Sequence, residues 1–326
     1  MKVFLLHKDR DFAVKPELRD AIFEAMLSGD LFAISKIRLD VARKRESGLV
    51  LAPTGNDKVL AQDLELETLW SAMAAGDEFL FEMVKRALLS SLTDPGAIVY
   101  RQQVLADCLE HPETVRQLYD LAVQALENER KAGGLWFRAS PDSILRRSAQ
   151  VLTLQVEVLR RLRQVADGQA GFRSAGFTRL FAMLRHELSD DYLQAVEHHL
   201  RELQFKRGIL ESAELAKGLK GSRYVMRTPR EQRWTERLPF ASRSESYSFT
   251  IPPRDESGFR SLEEIRGKGI NLVANSVARS ADHVKSFFSM LRLELAFYLG
   301  CLNLHGRLAG KGEPLCFPEP LPAGHL

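Results

Sequence analysis

Residues 284–310 read VKSFFSMLRLELAFYLGCLNLHGRLAG, and their inward-facing positions recur at alternating spacings of three and four. This period predicts one long helix with a continuous buried stripe, ending at Gly310 with Pro314 beyond it. The predicted stripe comprises Val284, Phe288, Leu291, Leu295, Tyr298, Leu302, His305 and Ala309.

A second long helix is predicted after Ser140-Pro141, where a capping side chain precedes a proline at the first helical position. Its inward positions, widened by Leu145, Leu152 and Leu159, are Ile144, Ser148, Val151, Gln155, Val158, Leu162 and Val165. At about 1.5 Å per residue each helix would run roughly 40 Å, longer than a compact domain usually holds. We therefore predict a mainly α fold with an elongated helical core, two long helices and a small β insertion.

Shorter helices surround these two. In Asp94-Pro95, the aspartate can accept hydrogen bonds from first-turn amides while the proline occupies a position that needs no donor. Another helix is predicted to begin at Ser189-Asp190 and to carry Tyr192, Val196, Leu200 and Leu203. The pattern Ser261-Leu262-Glu263-Glu264 matches a capping box, which predicts that the chain re-enters helix there.

The period changes to two between about 208 and 252, which predicts a small β insertion. Arg223-Tyr224-Val225-Met226 is strand-like, and Gly218 and Gly221 bracket a predicted hairpin turn. Strict alternation at Tyr247, Phe249 and Ile251 predicts a further strand.

The same insertion concentrates positive charge. From 217 to 243 there are eight basic and two acidic residues, which gives +6 against a net charge of +3 for the whole chain. Arginine donates hydrogen bonds in a planar fork that suits phosphates, and Tyr224 and Trp234 are interleaved with the arginines. A solvated charged loop is the alternative that charge alone leaves open. The basic residues are Lys217, Lys220, Arg223, Arg227, Arg230, Arg233, Arg237 and Arg243.

The composition indicates a folded, cytoplasmic protein. Hydrophobic residues make up 45% and charged residues 27% of 326 positions, and no apolar run approaches the roughly 18 residues of a membrane span. The start of the chain has too short an apolar core for a signal peptide. The three cysteines, Cys108, Cys301 and Cys316, are widely spaced, which disfavours disulfides and zinc sites.

Catalytic motifs are not found in the sequence. Residues 306–312 come nearest to a phosphate-binding loop but are one residue short and lack the hydroxyl, so they are interpreted as a helix end. His198 and His199 are adjacent and point about 100° apart on a helix, which is poor geometry for a shared metal. His186 precedes a glutamate without a second histidine one turn later, and Asp190-Asp191 suits a helix start. We predict no enzymatic activity, metal or cofactor for this chain alone.

Five segments of the sequence match the pattern of one protein family: Asp94-Pro95 through Leu105, Phe205 through Leu215, Lys220 through Arg227, Leu293 through Leu304, and Cys316 through Glu319. Together they resemble the helical core and lever region of MutS-like DNA mismatch repair proteins. The resemblance covers about residues 62–320, and its C-terminal block is the most specific part.

The resemblance implies that the long helices are lever arms and that the β insertion is a clamp-like element contacting the DNA backbone. With the first sixty residues interpreted from their pattern as a peripheral cap, the predicted domain order is cap (1–61), helical core with the first lever (62–204), basic insertion (205–260), returning lever (261–312) and Pro-rich linker (313–326). The resemblance also implies that Arg101 and Gln102 tie the Asp-Pro helix to its neighbours. The residues expected to contact DNA are Lys217, Lys220, Arg223, Arg227, Arg230, Arg233 and Arg237.

The family's ATPase domain, with its ATP and Mg²⁺, would follow Pro320, and its mismatch-reading Phe-x-Glu belongs to a separate N-terminal domain. Phe317-Pro318-Glu319 fits those letters by chance. We interpret the chain as a fragment, monomeric by itself, of a protein that forms homodimers. No membrane partner is expected.

Two other functions stay open. The long stripes could pair chains in a protein-interaction scaffold without DNA binding, and the basic segment would then only aid solubility. A hydrolytic site would have only His186, His198 and nearby acids to draw on.

Overall fold

The computed structural model describes residues 1–9, 56–90, 92–131, 140–169, 171–205, 208–217, 221–227, 248 and 250–321. Over these residues the protein is mainly helical with one two-stranded antiparallel sheet, which confirms the predicted fold class. The helices are Asp57–Asp63 (α1), Leu66–Ala74 (α2), Glu78–Leu89 (α3), Pro95–Glu110 (α4), Pro112–Lys131 (α5), Pro141–Gly168 (α6), Ala175–Glu187 (α7), Asp190–Glu202 (α8) and Glu256–Gly310 (α9). The strands are Leu210–Leu215 (β1) and Gly221–Arg227 (β2).

Two helix starts form as predicted. The Asp94 carboxylate accepts hydrogen bonds from the amides of Gly96 and Ala97 at 3.3 and 3.0 Å, with proline at the first helical position of α4. At α6, the hydroxyl of Ser140 accepts from the amide of Ser143 at 3.2 Å. Local sequence was sufficient here because a cap uses only groups within one helical turn.

The start of α9 differs from the prediction. This helix runs unbroken for 55 residues from Glu256, so the capping box at Ser261 is wrong. Asp255 caps the helix instead, because its carboxylate accepts from the amide of Gly258 at 2.9 Å, and this bond lowers the pKa of Asp255. The hydroxyl of Ser261 donates back to the carbonyl of Ser257 inside the helix, which serine can do without ending one.

The described helices include one, α9, that is long and apolar enough to meet a length-and-composition test for a membrane span. The lengths of the uninterrupted apolar runs predicted no such helix, whereas this test averages hydropathy over a window that can include two charged residues. Of the qualifying window, 61% is buried inside the protein, as in the central helix of a folded core. The predicted inward stripe of this helix, which starts at Val284, is buried only as far as Leu302, because His305 and Ala309 are exposed.

The chain divides into two compact units. The first consists of Met1–Gly133, Thr153–Ala195 and Asp282–Leu326, and the second of Gly134–Leu152 and Val196–Ala281. In the first unit, Trp70, Met73 and Val84 form a buried cluster to which Phe297 and Cys301 contribute from α9. Burial raises the pKa of the Cys301 thiol to about 12, as expected of a cysteine that serves as a small core residue.

The core of the second unit lies where α6 and α9 meet. Ile144 and Leu145 from α6 pack with Ile270 and Ala274 from α9. At the start of α8, which belongs to the first unit, Leu193 is buried and Tyr192 is exposed.

Arg101 and Gln102 tie α4 to neighbouring segments of the first unit, as predicted. The Nε of Arg101 donates to the carbonyl of Leu6 at 2.8 Å, and the side-chain amide of Gln102 donates to the carbonyl of Pro318 at 2.8 Å. Residues 10–55 of the predicted cap lie outside the described residues, whereas Val3, Leu5 and Leu6 are buried in the first unit.

Gln155 is a polar residue in an apolar stripe. It is 0% exposed on α6, and neither polar atom of its side chain has a hydrogen-bond partner among the described residues. Burying an amide without hydrogen bonds costs about 1–3 kcal/mol.

We expect Gln155→Met to raise the free energy of unfolding by about 1–2 kcal/mol, because methionine has a similar volume without the unpaired polar atoms. Urea unfolding monitored by circular dichroism measures the change. Gln150→Met is the matched control, since Gln150 is exposed on the same helix. A variant at 155 that is no more stable than this control would contradict the prediction.

Candidate nucleic-acid interface

The β insertion is an antiparallel hairpin with an irregular register. Leu210 pairs with Arg227 and Ser212 with Val225, but Glu214 pairs with Ser222, so β2 holds one extra residue. Arg223 lies in this bulge with a φ of +49°, a left-handed conformation that is uncommon for a residue other than glycine. Bulges redirect side chains, and this one lies at a predicted DNA-contacting arginine.

One face of the hairpin is fixed to the helical core of the second unit. Met226 packs against the cluster of Ile144, Leu145 and Ile270. A Cβ at Gly221 would lie within 3 Å of the Tyr224 ring and hydroxyl, so this glycine leaves room for the tyrosine. One side of the hairpin therefore faces the core, and the opposite side faces solvent.

The opposite side of β2 carries the arginines. Exposure alternates along the strand, and Arg223 and Arg227 are both on the exposed side. The guanidinium of Arg223 lies 3.3 Å from the Glu214 carboxylate, with the two side chains 79% and 63% exposed. The Nε of Arg227 donates to the hydroxyl of Ser212 at 2.9 Å. Exposed ion pairs contribute only about 0.2–1 kcal/mol, so a phosphate can displace the partner of Arg223 at small cost.

The structure describes three of the seven predicted contact residues. Lys217 is exposed two residues after the end of β1, and Arg223 and Arg227 lie on β2, so all three lie on or beside one hairpin. The other four, Lys220, Arg230, Arg233 and Arg237, lie outside the described residues, as do Trp234, Tyr247 and Phe249.

Lys268 of α9 is a cation next to the hairpin that sequence reasoning missed. Its ammonium lies 5.9 Å from the centroid of the Tyr224 ring and 2.6 Å from the Glu264 carboxylate. The hydrogen bond that Lys268 donates to the Glu264 carboxylate raises the pKa of Lys268. No sequence signal marked this lysine, because it is separated from Tyr224 by the second half of the insertion and the start of α9.

The base of the hairpin carries a charged cluster. A Cβ at Gly269 would lie 2.2–2.6 Å from the carboxylate of Glu211 on β1. This carboxylate therefore packs against the backbone of α9 at Gly269. Desolvation raises the pKa of Glu211, partly offset by Arg266. The Arg266 guanidinium lies 2.6 Å from Asp142 of α6. These contacts fasten β1 to the helices of the second unit.

The histidines considered for metal binding or hydrolysis lie on α7 and α8. In the described part of the chain, no group of three or more His, Cys, Asp and Glu side chains could hold a metal ion. His198 and His199 both lie 3.5 Å from the Glu202 carboxylate on the exposed side of α8. His186 lies in the last turn of α7.

Comparison with models of protein families gives a match over most of the chain. No curated protein and no solved structure matches the chain. The family model of the MutS2 N-terminal domain matches residues 93–311, which is about two thirds of the sequence and includes both long helices and the hairpin. Together with the helical fold and the inserted hairpin, this match shows that the chain belongs to the MutS2 N-terminal domain family.

Proposed function

We propose that this chain is the DNA-binding core and lever module of a MutS-like protein, and that its hairpin contacts the phosphate backbone of DNA. The observation that carries the proposal is the two-sided hairpin. Met226 fixes one side to the core, while Arg223 and Arg227 occupy the exposed side. Backbone contacts of this type position a protein on DNA without reading base sequence.

The lever part of the proposal is supported by the continuity of α9. This single helix supplies Ile270 to the core of the second unit and Leu295 and Tyr298 to the buried residues of the first. A continuous helix can transmit a displacement along its length where nothing kinks it, and α9 contains no proline, a common cause of kinks. ATP and Mg²⁺ would act in another domain of the full protein, and a homodimer would be its assembled form.

We expect the chain to bind a 30-base-pair duplex at low salt, with log affinity falling linearly against log salt. If about six basic residues meet phosphates, the slope is near −5. Changing both Arg223 and Arg227 to alanine should flatten the slope by about 1.8 and weaken binding about tenfold or more. Fluorescence anisotropy over a salt series measures both quantities.

The matched control changes Arg201 and Arg307 to alanine, because these exposed arginines lie on α8 and at the end of α9 and the net charge falls equally. Equal losses in the two double variants would show general charge attraction and contradict the hairpin contact. Absence of binding by the unchanged chain would reject the proposal as a whole.

The interaction scaffold is a second candidate with an observation of its own. Phe259, Leu262 and Ile265 of α9 are 43–48% exposed, which leaves apolar surface near the start of this helix. A scaffold would form a dimer at micromolar concentration, whereas we propose a monomer for this chain alone. Sedimentation equilibrium distinguishes the two, and Ile265→Lys should dissociate a dimer formed through this surface.

A further inference from the structure

Residues 3–8 form neither helix nor strand, yet side chains from distant helices hydrogen-bond to their backbone. From α9, the Glu294 carboxylate accepts from the amides of Leu5 and Leu6, and the Tyr298 hydroxyl donates to the carbonyl of Leu5 at 2.6 Å. The partners on α9 are 288 to 293 residues away along the chain. A peptide bound by a separate protein would have its backbone satisfied in the same way.

Helices α4 and α7 complete the contacts. The Tyr100 hydroxyl donates to the carbonyl of Phe4, and Arg101 donates to the carbonyl of Leu6. From α7, Arg179 donates to the carbonyl of Lys8 at 3.2 Å. We call Tyr100, Arg101, Arg179, Glu294 and Tyr298 the segment groove.

The side chains of the segment supply the apolar part of the contact. Val3, Leu5 and Leu6 are at most 3% exposed. The guanidinium of Arg179 lies 3.9 Å from the centroid of the Phe4 ring. Backbone hydrogen bonds combined with buried side chains of the ligand are a usual physical basis of peptide recognition.

We propose that the segment groove is a peptide-binding site whose ligand is an aliphatic segment with the sequence of residues 3–8, supplied by this chain itself. None of the groove residues belongs to the hairpin, so the proposal is independent of DNA binding. The bound segment acts as a clasp between α9, α4 and α7. Its departure would remove hydrogen bonds from Glu294 and Tyr298, which are both fully buried.

The test separates the segment from the full chain after folding. A protease recognition sequence is inserted after Asp9, which is exposed, and the purified full chain is cleaved. We expect the excised segment to stay bound during gel filtration and to exchange with a fluorescent synthetic peptide of residues 1–9. The expected dissociation constant is about 1 µM or lower.

The groove is checked with variants that remove only hydroxyl groups. Changing both Tyr100 and Tyr298 to phenylalanine deletes the donors to the Phe4 and Leu5 carbonyls and should weaken peptide binding about tenfold. Tyr192→Phe is the control, because this tyrosine is exposed on α8 and lies outside the groove. Hydrogen exchange of residues 290–300 should accelerate when the peptide is removed.

Three results would overturn the proposal. The remainder could unfold on cleavage, which would make the segment an inseparable part of the core. The excised peptide could dissociate and fail to rebind at about 1 mM, which would leave no useful affinity. The double tyrosine variant could bind the peptide as tightly as the Tyr192 control, which would exclude the segment groove as the site.

Discussion

Changing Asp107 to alanine is expected to lower the free energy of unfolding by about 3 kcal/mol. Asp107 is 4% exposed on α4, and its carboxylate accepts from the backbone amides of Arg173 at 3.0 Å and Ser174 at 2.8 Å. Alanine would leave both amides without this acceptor at the entry to α7. Each buried unpaired amide costs about 1–3 kcal/mol, so the expected loss exceeds that of an ordinary surface change.

The loss is measured by urea unfolding with circular dichroism, and Asp94→Ala is the matched control. Asp94 also accepts from two backbone amides, but at an exposed helix start, where a cap contributes about 1 kcal/mol. An Asp107 variant no less stable than the Asp94 variant would mean that water replaces the carboxylate and that its burial is unimportant. Since α7 carries Arg179 of the segment groove, the Asp107 variant should also weaken binding of the N-terminal segment.

Two glycines of the same helix are expected to respond in opposite directions when changed to alanine. At Gly300 of α9, an added Cβ would lie 2.5 Å from a methyl of Val84 and 3.4 Å from the Cβ of Met73. Val84 is fully buried and branched at Cβ, so it has little freedom to move aside. We expect Gly300→Ala to cost about 2 kcal/mol, because overpacking outweighs the better helix propensity of alanine.

Gly306 is the internal reference for this prediction. In the described structure no atom lies within 4 Å of a Cβ built there, so alanine should stabilise the protein by about 0.5–1 kcal/mol. Thermal unfolding of the two variants gives the difference directly. If Gly300→Ala were as stable as Gly306→Ala, the result would contradict the close packing of Gly300 of α9 against Val84 of α3.

Much of the secondary structure was predictable because its causes are local. The caps at Asp94 and Ser140 act within one turn, and the stripes of α6 and α9 follow from helical periodicity. The hairpin followed from alternation and from glycines near its turn. The ties made by Arg101 and Gln102 were predicted only as a consequence of the family resemblance. DNA contact at the arginines stays a prediction.

Other features depend on contacts between residues that are far apart in the sequence. No local pattern marks Asp107, because the backbone amides that it accepts from lie 66 and 67 residues later in the chain. Ser261 matches a capping box, but such a pattern also occurs inside helices, where the serine hydroxyl bonds to the preceding turn. The helix begins instead at the cap formed by Asp255. Lys268 had no signal, since its position beside Tyr224 depends on how β2 packs on α9.

By itself, the sequence of this MutS2 N-terminal domain determined which stretches form helix, where two of them begin, and that its positive charge is concentrated in one insertion. These properties depend on neighbours within a few residues, where periodicity and capping act. The tertiary structure alone decided that Arg223 and Arg227 share an exposed face, that Asp107 is buried, and that the backbone of residues 3–8 hydrogen-bonds to side chains of α9. Such pairings depend on packing and desolvation between residues far apart in the chain, which no local pattern encodes.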